Sequence, residues 1–475
     1  MYAVAAGHEL TARTAARVLA EGGNAYDAAV AAAFIQPLAE PVLAGMGGGG
    51  LMIVREPAGK SRFYDFFTNM PGLGLRRVGR ARTVEVQVDY GGATGVYHAG
   101  AASVAVPGTL QGLLGVHAAH GVMPLGRLVE PAIAAARKGE PVSGLRAYLF
   151  TLIEPILTLT PEARGIFAPE GRLLRAGELL RNVDYAGFLE RLPGEGANAF
   201  YSGSTARELV DYLQTGGGLL TEADLASQQL IAGPPREDGL DGFALCRASG
   251  PSRGGAAVAR LLQSYFEEPH NSENEAQHYL GVARAMRRVA EGPGLRRGTT
   301  HLSIRDTEGR LLAMTVTNGE GSGLVAPGTG IFLNNMLGED DVLPPDRLPP
   351  EAGTRLVSMM APVVLETGTD AYALGSGGSK RIRTAVFQVA AHLLIQRWSL
   401  ERSVGASRIH YEDQRLEIEP GLGPDALGML AGEFAVNQWP RKDFYFGGVH
   451  AVSLSGLAVG DLRRDGYAVM SQSTK

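Results

Sequence analysis

The sequence of 475 residues has one cysteine, Cys246, and no long uninterrupted apolar run. A single cysteine excludes a disulfide framework within the chain and a zinc site built on cysteines. Because no apolar run reaches about 18 residues, no membrane span is predicted. The net charge is only −5, whereas a dedicated nucleic-acid binder usually carries a basic excess. We therefore expect neither nucleic acid nor a membrane as a partner.

The N-terminus also lacks the features of a secretion signal. The residues MYAVAAGHELTART have no positively charged start and only a short apolar stretch. The protein as given is expected to be cytoplasmic, or periplasmic or secreted if a leader has been removed.

Patterns for metals and nucleotides are missing or incomplete. No set of histidines and acidic residues has the spacing of metal ligands. The run GMGGGG at 45–50 fits a dinucleotide-binding pattern, but a strand-like run follows it where that pattern requires a helix. We therefore expect no metal and no cofactor, and a close approach of backbones at this run.

What the sequence does contain is an ordinary globular composition, with 45% hydrophobic and 20% charged residues. Periodicity predicts a helix over 8–21 and a second one capped by Asn24, and it makes most of 108–235 helical. Strand-like runs follow at 299–305, 310–317, 355–365 and 370–375, and then a helix at about 382–397. This order favours helix layers packed on sheets, an α+β layered sandwich.

One strand-like run begins with two threonines, in GTTHLSI at 298–304. The turn signal RDTEGR at 305–310 predicts a hairpin that places Thr299 opposite residues 316–318. Thr317 has the same parity as Thr299 and is expected on the same face. Threonine is also a good strand former, so a plain sheet face is the alternative. His301 is interpreted as structural.

Further polar clusters follow other predicted strands. GSGGSK at 375–380 supplies adjacent glycine amides of the kind that can form an oxyanion hole. LNNMLGED at 333–340 adds amides and acids, and RLVSMMAP at 355–362 adds a serine on a third predicted strand.

Taken together, these segments resemble the γ-glutamyltransferases, which are N-terminal-nucleophile (Ntn) hydrolases. The matching segments run in family order over nearly the whole chain: GGNAYDAAV (22–30), EPVLAGMGGGG (40–50), VPG (106–108), FYSG (200–203), GGLLTEADL (217–225), GTTH (298–301), LNN (333–335), MMAP (359–362) and GSGG (375–378).

The resemblance implies a four-layer αββα sandwich and self-cleavage between Gly298 and Thr299. A large fragment, 1–298, and a small fragment, 299–475, would stay together as one intertwined structural unit and form a heterodimer. The precursor would be a zymogen, and the freed α-amino group of Thr299 would serve as general base for its own hydroxyl.

The resemblance also assigns roles within the site. Thr317 would assist Thr299, and Gly377 with Gly378 would stabilise the oxyanion. The substrate would be bound by four further residues: Asn318, Ser358, Glu339 and Asp340.

The chain departs from the family pattern in the donor pocket. Relatives carry an arginine that grips the donor α-carboxylate, and Phe67 stands at that position here. Met336 stands where an amide side chain is usual. Only 22 residues separate Asn335 from Ser358, which predicts a site without a lid.

Three functions stay open at the sequence level. The first is a glutathione hydrolase-like γ-glutamyltransferase that cleaves γ-glutamyl amides through a threonine acyl-enzyme, with hydrolysis favoured over transfer. The second is an Ntn acylase of the cephalosporin-acylase type, acting on another acyl amide. The third is a non-catalytic relative that serves as a binding module.

Overall fold

The computed structural model describes residues 1–75, 83–89, 94–240, 242–250, 252–268, 274–289, 298–339, 342–343 and 349–471. The α-helices within these ranges are α1 (Glu9–Ala20), α2 (Ala25–Ala39), α3 (Thr109–His120), α4 (Leu125–Lys138), α5 (Gly144–Leu152), α6 (Glu154–Leu157), α7 (Pro161–Phe167), α8 (Val183–Glu195), α9 (Asn198–Tyr201), α10 (Gly203–Thr215), α11 (Glu222–Ser227), α12 (Arg253–Glu267), α13 (Glu275–Arg288), α14 (Arg381–Leu394), α15 (Leu400–Gly405) and α16 (Pro424–Glu433).

The strands within the same ranges are β1 (Ala3–Ala6), β2 (Gly49–Arg55), β3 (Ser61–Phe66), β4 (Val84–Asp89), β5 (Thr94–Ala99), β6 (Glu140–Pro141), β7 (Leu179–Leu180), β8 (Ile231–Gly233), β9 (Arg236–Leu240), β10 (Phe243–Arg247), β11 (Thr300–Arg305), β12 (Leu311–Thr317), β13 (Val325–Ala326), β14 (Ile331–Phe332), β15 (Val363–Glu366), β16 (Ala371–Gly377), β17 (Ile409–Glu412), β18 (Arg415–Ile418), β19 (Ala435–Gln438), β20 (Gly448–Ser453), β21 (Ala458–Val459) and β22 (Tyr467–Met470).

Two antiparallel sheets form the centre of the molecule. The first has seven strands in the order β22-β1-β11-β12-β2-β3-β8, and the second has six in the order β21-β20-β16-β15-β10-β9. Strands β11 and β12 of the first sheet face β16, β15 and β20 of the second. Helices α1, α2 and α3 cover the outer face of the first sheet, and α12 and α14 cover the outer face of the second. This is the predicted αββα sandwich.

Side-chain alternation along β11 separates two environments. Leu302 and Ile304 belong to the core between the first sheet and its helices. His301 and Ser303 point the other way, into the layer between the sheets, where the Ser303 hydroxyl donates to the carbonyl of His450 at 3.0 Å. Thr299 has the parity of this second set, which brings it to the layer between the sheets.

Local signals in the sequence account for the helices that cover the first sheet. The Asn24 side chain accepts a hydrogen bond from the Asp27 amide at 3.0 Å, and the Asp27 carboxylate accepts one from the Asn24 amide at 3.1 Å. This reciprocal capping box starts α2 at the position that the sequence predicts. Alanines fill the buried face of α2, so it packs closely against α1.

One strand prediction is wrong in extent. Of the run 355–365, only its end lies in a strand, Val363–Glu366, and residues before it follow an irregular path. Ser358 therefore does not lie on a strand, and an isolated bridge joins it to Ser252. Within the described ranges, no helix is long and apolar enough to cross a bilayer.

Candidate active site

Thr299 lies immediately before β11 and is buried, with 3% of its surface exposed. The register Thr300↔Val316 places it opposite Thr317, within the range that the hairpin predicts. The Thr299 hydroxyl donates to the Thr317 hydroxyl across a distance of 3.3 Å. The two threonines therefore meet on one face of the hairpin, as their parity predicts.

The Thr317 hydroxyl connects the threonine pair to the preceding peptide bond. It donates to the carbonyl oxygen of Gly298 at 2.5 Å and accepts from the amide of Gly319 at 3.1 Å. A donor on the Gly298 carbonyl draws electron density away from the carbon, which makes that carbon a better electrophile. The bond between Gly298 and Thr299 therefore lies beside one hydroxyl that polarises its carbonyl and another that can attack it.

A tight turn after β12 completes the surroundings of this bond. The Glu320 carboxylate accepts the amide N–H of Gly298 at 3.0 Å. The Asn335 side-chain oxygen accepts the amides of Glu320, at 3.0 Å, and Gly321, at 3.3 Å. Neither Glu320 nor Asn335 was among the site residues predicted from the sequence. Asn335 falls within one of the family-like segments, but no sequence signal pointed to Glu320.

Glu339, one of the two acids predicted to bind the substrate, comes close to the same turn. A Cβ built on Gly319 would lie 2.0 Å from the Asn335 side-chain oxygen and 2.4 Å from a carboxylate oxygen of Glu339. The carboxylate is buried, with 4% of the residue exposed. The second predicted acid, Asp340, lies outside the described residues.

The two remaining predicted donor-binding residues differ in their placement. Asn318 follows Thr317 directly; its amide nitrogen donates to the carbonyl of Phe332 at 3.1 Å, and its side-chain oxygen is buried without a hydrogen-bond partner among the described residues. The Ser358 hydroxyl instead accepts from the amide of Met360 at 3.0 Å. Thus Asn318 offers an acceptor directly after Thr317, whereas the contacts of Ser358 lie within its own loop and at Ser252 and Arg253.

The predicted oxyanion glycines lie at the end of β16. A Cβ on Gly377 would lie 2.0 Å from the Thr299 carbonyl oxygen, so only glycine fits against Thr299. Gly378 adopts φ +120°, in the region that favours glycine. The two glycines are thus adjacent to Thr299, and their role as oxyanion donors stays a prediction.

The glycine run 45–50 forms the opposite wall, where it brings the backbones into the close approach that the sequence predicts. Gly49 pairs with Thr317 and Gly50 pairs with Val316 in the first sheet. A Cβ on Gly48 would lie 2.1 Å from the Thr317 carbonyl oxygen.

Phe67 occupies the position of the expected arginine and is buried beside Gly49. Arg355 lies nearby, but its guanidinium donates to the carbonyls of Phe67 and Gln229 and lies 3.5 Å from the Asp65 carboxylate. Burial lowers the pKa of Arg355 and raises that of Asp65. The guanidinium group of Arg355 is thus occupied by contacts within the protein, so Arg355 does not replace the missing arginine.

His301 is structural, as interpreted from the sequence. Its two ring nitrogens lie 2.7 Å from the Thr315 hydroxyl and 2.9 Å from the Ser303 hydroxyl. Burial lowers its pKa well below the usual value, so the ring stays neutral between the sheets. Among the described residues, no group of histidine, cysteine and acidic side chains could hold a metal ion.

The four-layer αββα sandwich is the fold of the Ntn hydrolases, and comparison with known proteins specifies the family. The sequence profile of the gamma-glutamyltranspeptidase family matches residues 11–294 and 287–471. The chain belongs to this family and is an enzyme of its amide-cleaving type.

Relatives with two different named activities are similar to this chain over nearly its full length. The Acylase ACY 1 proenzyme of a Pseudomonas species is 29% identical over 95% of this chain and 89% of its own length. A glutathione hydrolase proenzyme of Pseudomonas aeruginosa is 30% identical over 91% of this chain and 86% of its own length.

The solved structures agree on the fold. The cephalosporin acylase from Bacillus halodurans superposes with a TM-score of 0.81 over 98% of this chain and 95% of its own, at 21% identity. The gamma-glutamyltranspeptidase of Helicobacter pylori, at 26% identity, gives a TM-score of 0.51 over 59% of this chain and 80% of its own.

Proposed function

We propose that this chain is a self-cleaving amidohydrolase in which Thr299 becomes an N-terminal nucleophile that cleaves γ-glutamyl amides. The observation that carries the proposal is the hydrogen-bonded series from the Thr299 hydroxyl through the Thr317 hydroxyl to the Gly298 carbonyl. Both relatives are named proenzymes, which supports a precursor that is processed.

Cleavage would begin with attack of the Thr299 hydroxyl oxygen on the Gly298 carbonyl carbon. The Thr299 proton passes towards Thr317 while the Thr317 hydroxyl stabilises the charge that develops on the carbonyl oxygen. The carbon–nitrogen bond then breaks as the nitrogen of Thr299 takes up the proton that left the hydroxyl. This leaves an ester on Thr299 and a free α-amino group. Water hydrolyses the ester and leaves a carboxylate on Gly298.

The same threonine would then act on substrates. The pKa of an α-amino group is ordinarily about 7.7–8.0, so a useful fraction is neutral near physiological pH and can take the hydroxyl proton. Attack on the substrate amide gives an acyl-enzyme and releases the amine, and water then releases the acid. Gly377 and Gly378 are proposed to donate their amides to the oxyanion, and Asn318, Glu339, Asp340 and Ser358 to hold the donor.

Hydrolysis is proposed to exceed transfer. The short segment between Asn335 and Ser358 supports a site without a lid, open to water. Part of that segment lies outside the described residues, so this is a prediction. Adding the acceptor glycylglycine should leave most product as free acid, measured by chromatography, and a dominant transfer product would contradict it.

An acylase acting on another acyl amide is the second candidate. Phe67 and the buried Met336 favour it, because both replace polar donor-binding groups by apolar ones. Glu339 favours the γ-glutamyl donor. Comparison of kcat/KM for γ-glutamyl, glutaryl and fatty-acyl p-nitroanilides decides between the two.

The test of the proposal is the mass of the purified protein, compared with that of two variants. The wild type should split between Gly298 and Thr299 and hydrolyse a donor amide. Thr299→Ala should remain a single chain without activity, and Thr299→Ser, which keeps a hydroxyl, should cleave. Processed and active Thr299→Ala protein would overturn the mechanism, and a stable uncut wild type would favour the non-catalytic binding module.

A further inference from the structure

A cavity opens beside the cleavage site. Its empty volume is about 560 Å³, and Gly298 forms part of its lining. Val42, Leu149 and Leu152 supply an apolar wall. Two guanidinium groups, Arg381 and Arg464, line the same space, together with Glu320, whose carboxylate accepts the Gly298 amide. Clefts with apolar walls and a few convergent polar groups are the usual form of small-molecule sites.

Arg464 is a buried cation for which the described part of the chain supplies no carboxylate partner. It is 9% exposed, and no carboxylate among the described residues lies within ion-pair distance. Its Nη1 donates to the carbonyl of Thr299 at 3.4 Å, its Nη2 donates to the carbonyl of Phe444 at 3.3 Å, and its Nε has no hydrogen-bond partner within the described ranges. Buried charges in proteins are normally paired, so this one calls for an explanation.

The neighbouring residue shows the ordinary arrangement. Arg463 pairs with the Glu419 carboxylate at 2.5 Å and with that of Asp461 at 3.1 Å. Adjacent arginines in one short turn thus have different surroundings. Arg463 forms ion pairs within the protein, whereas Arg464 contacts the carbonyl of Thr299 and lines the cavity.

Arg381 adds a second positive charge to the cavity. Its Nε donates to the carbonyl of Tyr445 at 3.1 Å, its guanidinium lies 4.6 Å from the Tyr445 ring centre, and its nearest carboxylate contact is 3.9 Å, to Glu412. Burial and the charge of Arg381 lower the pKa of Arg464 to about 10. An anion bound between these guanidinium groups would favour their charged forms and so oppose the lowering of the Arg464 pKa.

The position of Arg464 also sets the length of the ligand. Arg464 contacts the backbone carbonyl of Thr299, and the nucleophilic hydroxyl belongs to the same residue. Only the bonds within Thr299 therefore add to the distance between the guanidinium group and the hydroxyl. A carboxylate three carbons beyond an acyl carbon can span such a gap. Glutaryl and γ-glutamyl groups both have this spacing.

We propose that the cavity binds the distal carboxylate of the acyl donor through Arg464, with Arg381 in support. The substrate class is an amide whose acyl chain ends in a carboxylate three carbons away. Identification of the bound group as an acyl donor rests on the proposed function, but carboxylate binding itself does not. Phe67 stands where the family resemblance leads us to expect an arginine, and Arg464 would supply the cation from a different part of the chain.

A binding measurement on uncut Thr299→Ala protein tests the site without catalysis. Titration calorimetry should show glutarate binding at least ~10-fold more tightly than butyrate, which lacks the second carboxylate. Arg464→Met in this background should remove the difference. The control Arg207→Met, an exposed arginine on α10, should keep it. Equal affinities for the two acids in Thr299→Ala protein would overturn the proposal, whether or not Arg464→Met folds.

Kinetics on processed enzyme give a second reading. Glutaryl and butanoyl p-nitroanilides form one matched pair, and γ-glutamyl and 4-aminobutanoyl p-nitroanilides form another. Arg464→Met should lower the ratio of kcat/KM within each pair by roughly 10- to 100-fold, with Arg464→Lys and Arg381→Gln less affected. A ratio that does not change would overturn the proposal. Both kcat/KM values in a ratio come from the same preparation. A variant that cleaves itself more slowly therefore lowers both values by the same factor, and the ratio does not change.

The two proposals fail in different ways. An uncut wild type that hydrolyses no donor contradicts the proposed function and leaves the calorimetric result standing. A processed and active wild type that prefers neither glutarate nor the carboxylate-bearing donors supports the proposed function and refutes the carboxylate site.

Discussion

At the scale of single residues, the proposed chemistry depends on the direction of two hydroxyl hydrogen bonds. The Thr317 hydroxyl is committed to the Gly298 carbonyl at 2.5 Å, so the Thr299 proton has Thr317 as its acceptor. This direction leaves a lone pair of Thr299 free for attack. Glu320 holds the amide of the same glycine, which keeps the carbonyl in place.

Thr317→Val should slow self-cleavage, because valine keeps the shape but removes the donor to the Gly298 carbonyl. Loss of one oxyanion donor costs on the order of 10²–10³-fold in rate. Thr317→Ser should cleave at a rate close to that of the wild type. The measurement is the cut fraction against time by denaturing mass spectrometry, and unchanged cleavage in Thr317→Val would show that its hydroxyl is not used.

At the scale of elements, the site depends on strands that approach each other more closely than side chains permit. The run 45–50 crosses the end of β12, and β16 ends against Thr299. Both approaches require residues without a Cβ. The loop after β12 carries Glu320, and the segment after β14 brings Asn335 and Glu339 to the same turn.

Gly48→Ala should destabilise the protein and reduce its activity, because the new Cβ would lie 2.1 Å from the Thr317 carbonyl oxygen. Overpacking of this kind costs about 1–3 kcal/mol. The matched control is Gly233→Ala in β8 of the same sheet, where a Cβ meets nothing within 4 Å. Urea unfolding and p-nitroanilide hydrolysis measure the two effects, and equal behaviour of both variants would contradict the close approach.

At the scale of the whole molecule, the two expected fragments are interleaved. Strands β11 and β12 of the small fragment lie between β1 and β2 of the large fragment in the seven-stranded sheet. In the six-stranded sheet, β9 and β10 come from the large fragment and the other four strands from the small one. Neither fragment contains a complete sheet of these two.

The fragments should therefore stay together after cleavage. Size-exclusion chromatography of cut protein should give one species that contains both fragments, near the chain mass of 50.0 kDa or a multiple of it. Denaturant should be needed to separate them. Fragments that elute apart under native conditions would contradict the interleaved arrangement.

Stability should fall as the pH is lowered below about 6.5, because buried histidines are kept neutral in the folded chain. Burial lowers the pKa of His450 to about 4 and that of His392 to about 3, from 6.5 in an exposed chain. The unfolded chain then binds more protons, so stability present above pH 6.5 is lost towards pH 4. Each such histidine contributes about 1.4 kcal/mol per pH unit.

Urea unfolding of Thr299→Ala protein at several pH values checks this, because the uncut chain avoids dissociation of fragments. His450→Gln should reduce the slope of stability against pH by one proton. Buried Glu40 acts in the opposite sense, since burial raises its pKa and its contribution is lost as the pH rises. If the slope of stability against pH is the same in His450→Gln as in its parent, the loss of stability at low pH does not come from His450.

The sequence by itself determined the layered fold, the hairpin and its parity. Capping at Asn24, alternation along β11 and the turn at 305–310 are local signals, and each acts within a few residues. The hairpin signal predicts Thr299 opposite residues 316–318, and the structure places it opposite Thr317. The strand expected over 355–365 failed because its apolar composition does not distinguish a strand from a buried irregular segment.

Only the tertiary structure decided which distant groups surround the threonine pair. Glu320 accepts the Gly298 amide because Asn335 fixes the turn between them, and Arg464 reaches the Thr299 carbonyl from 165 residues away. An arginine at the end of the chain has no local pattern that distinguishes it from its ion-paired neighbour Arg463. The difference arises from which carboxylates the packed sheets bring within reach, and that is a property of the three-dimensional structure.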